Sequence, residues 1–387
     1  MNYVLQAFYS DFIFDASLKL KTNPMKQFFF SVAAIATLAL FSADANAKIW
    51  RLNNSNGNTL TPAINANFTG TLQEAHDNAS VNNGDTIHIE ASTVSYGSLT
   101  MTKRLVLIGP GYFLDQNPKT QVNRSYGSTI GALTILNPAS AGSFISGLTI
   151  NGAVVLGANK LVLFRNYISL PNYNYIYLGT GNATNIDSIV IRSNYIDGAY
   201  PSPSVQGYPS TTGNVTNFIF SNNIISNAYN TWCISLGGNV SGTIRNNVFI
   251  GPSPMSVYNM YVVNNIQTFS SNAGANQFFN SVVEFNLGRT AAFFQTPTGT
   301  NNTISNNIVN TTPGFVATGS PDGYYQLAAS SPAKGTGRLG QDMGAFGGQI
   351  PYALSGLPWV PNIYSLTIAP IAPGATSISV TVSAKSN

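Results

Sequence analysis

The sequence predicts an all-β solenoid, a parallel β-helix, and three observations carry that prediction. A phrase of the form apolar–x–apolar, two or three small or polar residues, Asn, one residue, apolar returns between residues 140 and 310. It reads clearly at Leu161–Ile168 around Asn166, Ile189–Ile196 around Asn194 and Phe218–Ile225 around Asn223. It continues around Asn247 and Asn307, with poorer copies around Asn265 and Asn286. Second, these asparagines follow one another at 18 to 29 residues. That is the period of a strand–turn–strand repeat, whereas the hairpin turns of a sandwich recur every ~8–12 residues. Third, charged residues make up 8% of the chain, and Gly, Asn, Ser and Thr fill the space between apolar runs. A chain of this kind buries its apolar positions by stacking one repeat on the next, because a single repeat cannot cover its own face. Asparagine suits the repeating turn. It tolerates left-handed backbone, and its amide both donates and accepts, so a stack of them leaves no polar group stranded.

At the start of the chain, Met25-Lys26, the apolar run Phe28–Phe41 and the small residues ending Ala45-x-Ala47 have the three regions of a secretory signal. Residues 1–47 are expected to be an upstream segment and leader, with Lys48 opening the mature chain. The run is short of the ~20 apolar residues that span a bilayer. Residues 1–24 are either a start upstream of the true Met25 or an unusually long leading region of the signal before its apolar run. The expected location is secreted, periplasmic or at the cell surface. From Lys48 onward, 14 Lys and Arg face 10 Asp and Glu, scattered along the chain, which argues against nucleic acid as a partner. The single cysteine, Cys233, excludes an intramolecular disulfide and reads as a buried structural thiol.

Ile49–Leu52 reads as an edge strand. Thr71–Ala79 reads as a short helix, with Leu72, Ala75, His76 and Ala79 on one face by i, i+3, i+4 spacing. His76 is thereby placed as a packed residue, while His88, between Ile87 and Ile89, points outward from a strand. Four short β-rich runs follow at Asp85–Glu90, Ser98–Met101, Arg104–Ile108 and Leu133–Leu136. The repeats extend the β-helix domain over 48–349. Residues 350–387 change character: prolines punctuate two alternating runs, Ile363–Ile368 and Ser377–Val382, expected to form a hairpin-like β tail across the last open strand edges.

Several of these stretches resemble the right-handed parallel β-helix superfamily called pectate-lyase-like. The resemblance rests on Thr71-Leu-Gln-Glu-Ala75, Gly84-Asp-Thr-Ile-His-Ile-Glu90 and Leu99–Gly109 near the start. Gly323-Tyr-Tyr-Gln-Leu327, Ser331-Pro-Ala333 and Asp342-Met-Gly-Ala-Phe-Gly347 carry it near the end. It covers roughly 71–347. It implies a short N-terminal capping helix and an exported bacterial protein that meets polysaccharide. A lyase of this superfamily uses Arg or Lys as the base with calcium at the developing charge, and the related hydrolases use clustered aspartates. Here the repeat region between 140 and 310 offers only Asp187, Asp197 and Glu284, so calcium is not supported, no metal ligand is assigned and no cofactor is expected.

Aligning the repeats on their asparagines gives columns that run along the stack. Two positions before the Asn stand Phe164, Arg192, Ser221, Arg245, Val263, Glu284 and Ser305. Arg192, Arg245 and Glu284 are weak catalytic candidates, the charged constellation of the repeats. One position after the Asn stand Tyr167, Tyr195, Ile224, Val248, Ile266, Leu287 and Ile308, an outward apolar stripe expected to lie under loops or the tail. Tyr173, Tyr175, Tyr177, Tyr200, Tyr208, Tyr229 and Trp232 sit on or beside loops after successive Asn turns and are the candidate sugar-binding residues. Flat rings beside Asn and Ser suit the C–H faces and hydroxyls of pyranoses. Three functions remain open: a monomeric carbohydrate-binding β-helix, a polysaccharide lyase, or a structural or adhesive rod.

Overall fold

The computed structural model describes residues 47–387 except 56–57, 62–68, 118–125, 182, 199–203, 208–211, 228–231, 253, 270–273, 358–361, 371–375 and 386–387. The expected leader lies outside the described residues, as do Tyr200, Tyr208 and Tyr229. Among the described residues no helix is long and apolar enough to cross a membrane.

The chain is mostly β. Among the described residues its short strands assemble into long sheets of thirteen, eight and nine strands, here A, B and C. Val154–Leu156 belongs to sheet B, Val162–Phe164 to sheet A and Tyr167–Leu170 to sheet C. Ile176–Leu178 is back in sheet B, parallel to Val154–Leu156 and in register with it. Later circuits repeat this through Gln277–Phe279, the last strand of sheet B, after which two more strands extend each of sheets A and C. Val190 thus lies opposite Val162 and Tyr195 opposite Tyr167. This stacking is compatible with a β-helix solenoid.

Alternation sends every second side chain inward. In sheet A the inward column is Leu163, Ile191, Phe220, Ile244, Val262 and Val283, all fully buried. Matching columns come from sheet B (Leu133, Val154, Ile176, Val205, Ile234, Met255) and sheet C (Ile130, Ile150, Ile168, Ile196, Ile225, Phe249). Each such side chain contributes about 2 kcal/mol of apolar burial. At the far end, Phe293 and Phe294 of the short helix Ala291–Phe294 close the core, and Phe294 stacks on Phe278.

The asparagines form a continuous ladder at the turn between sheets A and C. Each of Asn166, Asn194, Asn223, Asn247, Asn265 and Asn286 donates both its backbone N–H and its side-chain amide to Oδ1 of the next, ending on Asn307, at 2.9–3.1 Å. The amides of Asn194, Asn247 and Asn265 also reach carbonyls of the preceding strand and of their own turn. One expectation is corrected by a single residue. The left-handed backbone belongs to the position before the ladder: Arg165, Ser193, Asn222, Asn246, Asn264, Phe285 and Asn306 have φ between 53° and 58°. The ladder residue keeps its amide aimed along the stack because its neighbour absorbs the reversal.

The helix runs Leu72–Asp77, with Thr71 as its N-cap accepting from the Glu74 N–H. It stops two residues before the expected Ala79, which is exposed, because Asn78 takes an extended conformation as C-cap. His76 is fully buried, as expected: Nε2 accepts from Thr102 N–H at 3.0 Å and Nδ1 faces Asp77. Ile49–Asn53 is not the edge of its sheet, since Thr59–Thr61 folds back antiparallel along its outer side.

The outward stripe after each Asn is covered. Ile224, Val248, Ile266 and Leu287 are fully buried. They pack with Tyr112, Ala333, Met343, Ala345 and Tyr352, and Phe113, Phe315, Tyr325, Leu327 and Phe346 border the same cluster. The cover is thus the closing segment around 313–357, whose last residues, Tyr352 among them, belong to the expected 350–387 tail, together with the loop at 112–113. From Arg338 onward this segment crosses the turns in reverse order. Arg338 N–H bonds Asn264 Oδ1, Asn246 bonds the Asp342 carbonyl, Asn222 bonds the carbonyls of Ala345 and Gly347, and Arg165 bonds the Leu357 carbonyl. Gly344, at φ 82°, is required here: a Cβ would come within 2.7 Å of Ile266.

The tail forms an antiparallel hairpin, Asn362–Ile368 with Val380–Lys385, a two-stranded sheet of its own. The expectation that it covers the last strand edge is not met. The strap has carried the chain back to Arg165, six strands from Thr303–Ser305 in sheet A, roughly 29 Å away. Ile304 at that edge stays 37% exposed, and Ile368, Ile378, Val380 and Val382 of the tail are exposed as well.

Candidate functional site

Sheet A holds the charged column in the order the sequence implied. Phe164, Arg192, Ser221, Arg245, Val263, Glu284 and Ser305 lie side by side on successive strands. They do not converge. Arg192 is buried, and its Nε donates to Ser221 Oγ at 2.9 Å. Arg245 is half-buried one strand beyond Ser221. Glu284 accepts from the Tyr261 hydroxyl and faces Arg338 Nε at 3.4 Å, while that guanidinium lies over the Tyr261 ring. Four strand spacings, about 19 Å, separate Arg192 from Glu284. Tyr261 and Arg338 escaped the sequence reading. Tyr261 shares an outward face with Val263, but only the returning strap brings Arg338 there.

The three carboxylates of the repeats meet three different environments. Asp187 is held below the usual carboxylate range, foremost by the Ser188 hydroxyl, with further hydrogen bonds from Asn217 and Thr216. Glu284 is paired as above. Asp197, outward on sheet C beside Tyr325, is pushed up by burial, against a smaller downward pull from the Tyr167 hydroxyl. The folded chain therefore keeps a proton that the unfolded chain releases. This group's contribution to stability is complete below the ordinary aspartate pKa of about 3.9 and is lost as pH rises through the raised value. Asp197→Asn is expected to raise the thermal midpoint at neutral pH and to leave it unchanged below that pKa. Thermal melts across pH check this, and equal shifts at both ends would refute it.

Sheet B presents a different surface. Its outward column runs Thr100, Thr134, Val155, Tyr177, Gln206, Ser235, Ser256, Gln277 on neighbouring strands. None of the described strands of this sheet carries Asp, Glu, Lys or Arg. Tyr175 and Tyr177 meet edge to face at 5.2 Å, and Tyr258 stacks flat on Phe279 at 4.3 Å and 12°. Tyr258 and Phe279 were not among the sequence candidates, because their repeats are the degenerate ones around Asn265 and Asn286. Tyr173 stands 59% exposed in the loop before Tyr175. Trp232 is half-buried, two residues before the strand Ile234–Ser235. Cys233 is buried beside it with Sγ donating to the Pro254 carbonyl, and burial pushes its thiol up, so it acts as a structural thiol.

Among the described residues no three His, Cys, Asp or Glu side chains gather as a metal-binding group. Neither the comparison with protein-family models nor that with curated proteins returns a match for this chain.

Proposed function

We propose that the chain is an exported, right-handed parallel β-helix of the pectate-lyase-like kind that binds polysaccharide as a monomer. The ligand lies along sheet B and the loop at 171–175 that leads into it from sheet C. The observation that carries this reading is the absence of charged residues from the described sheet B strands, together with two aromatic pairs, Tyr175–Tyr177 and Tyr258–Phe279. A flat surface of Thr, Ser and Gln can exchange hydrogen bonds with sugar hydroxyls, and the rings offer platforms for pyranose C–H faces. The dispersal of Arg192, Arg245 and Glu284 weighs against the lyase reading, since proton abstraction needs its base and its charge-stabilising groups at one carbon.

The test is incubation with acidic and neutral polysaccharides, with and without calcium. Unsaturated products are followed by ultraviolet absorbance, and binding by retardation in polysaccharide-containing gels. Retardation without product is the expected result. Product that disappears in Arg245→Ala would replace this reading with a lyase, and neither signal would leave a structural rod.

A further inference from the structure

We propose that the polysaccharide is an uncharged glycan bound in extended form across successive strands of sheet B, with Tyr177 and the Tyr258–Phe279 pair as separate sugar platforms. This rests on the reading of the chain as a polysaccharide binder and adds the ligand's charge class and direction. A polyuronate carries one carboxylate per sugar, and each must lose hydration on docking. Nothing on the sheet B strands would offset that loss. The cations at the border toward sheet A lie off these strands, in the connecting segments at Lys103, Arg104 and Lys160. Lys103 Nζ donates to the carbonyls of His76, Asn78 and Val81, and Lys160 faces Asp187. A neutral glycan loses only hydroxyl–water bonds, which Thr134, Gln206, Ser235, Ser256 and Gln277 can replace.

The platforms also set a length. Tyr177 and Tyr258 lie three strands apart in sheet B, a separation of roughly 15 Å along the stack. One monosaccharide cannot touch both. A chain of sugars can, and the second contact then forms at high effective concentration.

The full chain is run in affinity gels containing xyloglucan, galactomannan or mixed-linkage glucan, and in parallel ones containing polygalacturonate or alginate, at low salt and at about 0.5 M salt. The expected result is retardation by a neutral polysaccharide, insensitive to salt, and none by the uronates. Tyr177→Ala and Tyr258→Ala should each weaken binding about tenfold with an unchanged circular-dichroism spectrum, roughly the effect of losing one aromatic contact. For oligosaccharides of a retarding glycan, affinity should climb until the ligand reaches both platforms and then level off. Uronate binding that salt abolishes would overturn this inference while leaving polysaccharide binding intact. Neutral-glycan binding unaltered in both tyrosine variants would overturn the placement on sheet B. Retardation by none of the polymers would remove both readings.

Discussion

Asn223→Ala should destabilise the fold by about 3 kcal/mol although it removes only one small polar side chain. Asn223 is fully buried in the middle of the ladder. Its Oδ1 accepts from both the backbone N–H and the amide of Asn194, and its own amide donates to Ile191 O and Asn247 Oδ1. Truncation leaves the backbone N–H and amide of Asn194 without their shared acceptor, and Ile191 O without its amide donor, at a fully buried position. Asn223→Asp should be worse, because a carboxylate offers no donor to Ile191 O. Asn307 supplies the control. It accepts the same two bonds, from Asn286, at the end of the ladder, and its amide donates to Val283 O and Phe294 O. There it is only half-buried and solvent can substitute, so Asn307→Ala should cost clearly less. Denaturant midpoints for the three variants decide the matter, and equal losses at positions 223 and 307 would contradict it.

Ala345→Asp should cost about 3–5 kcal/mol, because it places an unpaired charge against the apolar stripe of sheet C. Ala345 is 1% exposed, packed in the cluster that contains Ile224, Val248, Ile266 and Leu287. The charge can escape only by lifting the strap. The expected signature is therefore local: a hydrophobic dye binds and proteases cut between 338 and 357, while the strand signal in circular dichroism persists. Leu339→Asp, in the same segment but at an 86% exposed position, should change stability by less than about 0.5 kcal/mol. Dye binding equal in the two variants would mean that the strap is not what covers the stripe.

The repeat was legible in the sequence because its asparagines recur in one place per circuit. Aligning on Asn166 through Asn307 put Phe164, Arg192, Ser221, Arg245, Val263, Glu284 and Ser305 in the column the sheet displays, and marked Tyr167 through Ile308 as a stripe needing cover. What could not be read was anything made by chain return. Arg338 reaches Glu284, and Tyr352 reaches Tyr112, across 240 residues that carry no shared period. The role of the doubled asparagines was also hidden. In Asn222-Asn223 and Asn246-Asn247 the second residue builds the ladder, whereas the first turns the backbone and holds the strap. Periodicity alone shows that both recur, not that they face opposite ways.

The reversal of the strap has a mechanical meaning. A stack of repeats held only by neighbouring contacts can open from either end, one repeat at a time. Traction on the segment after Leu357 acts first at Arg165 and Tyr112, then at Asn222, Asn246 and Asn264, so the cover comes away like a zip, one crossing after another. The coil beneath bears load only after the last crossing has parted.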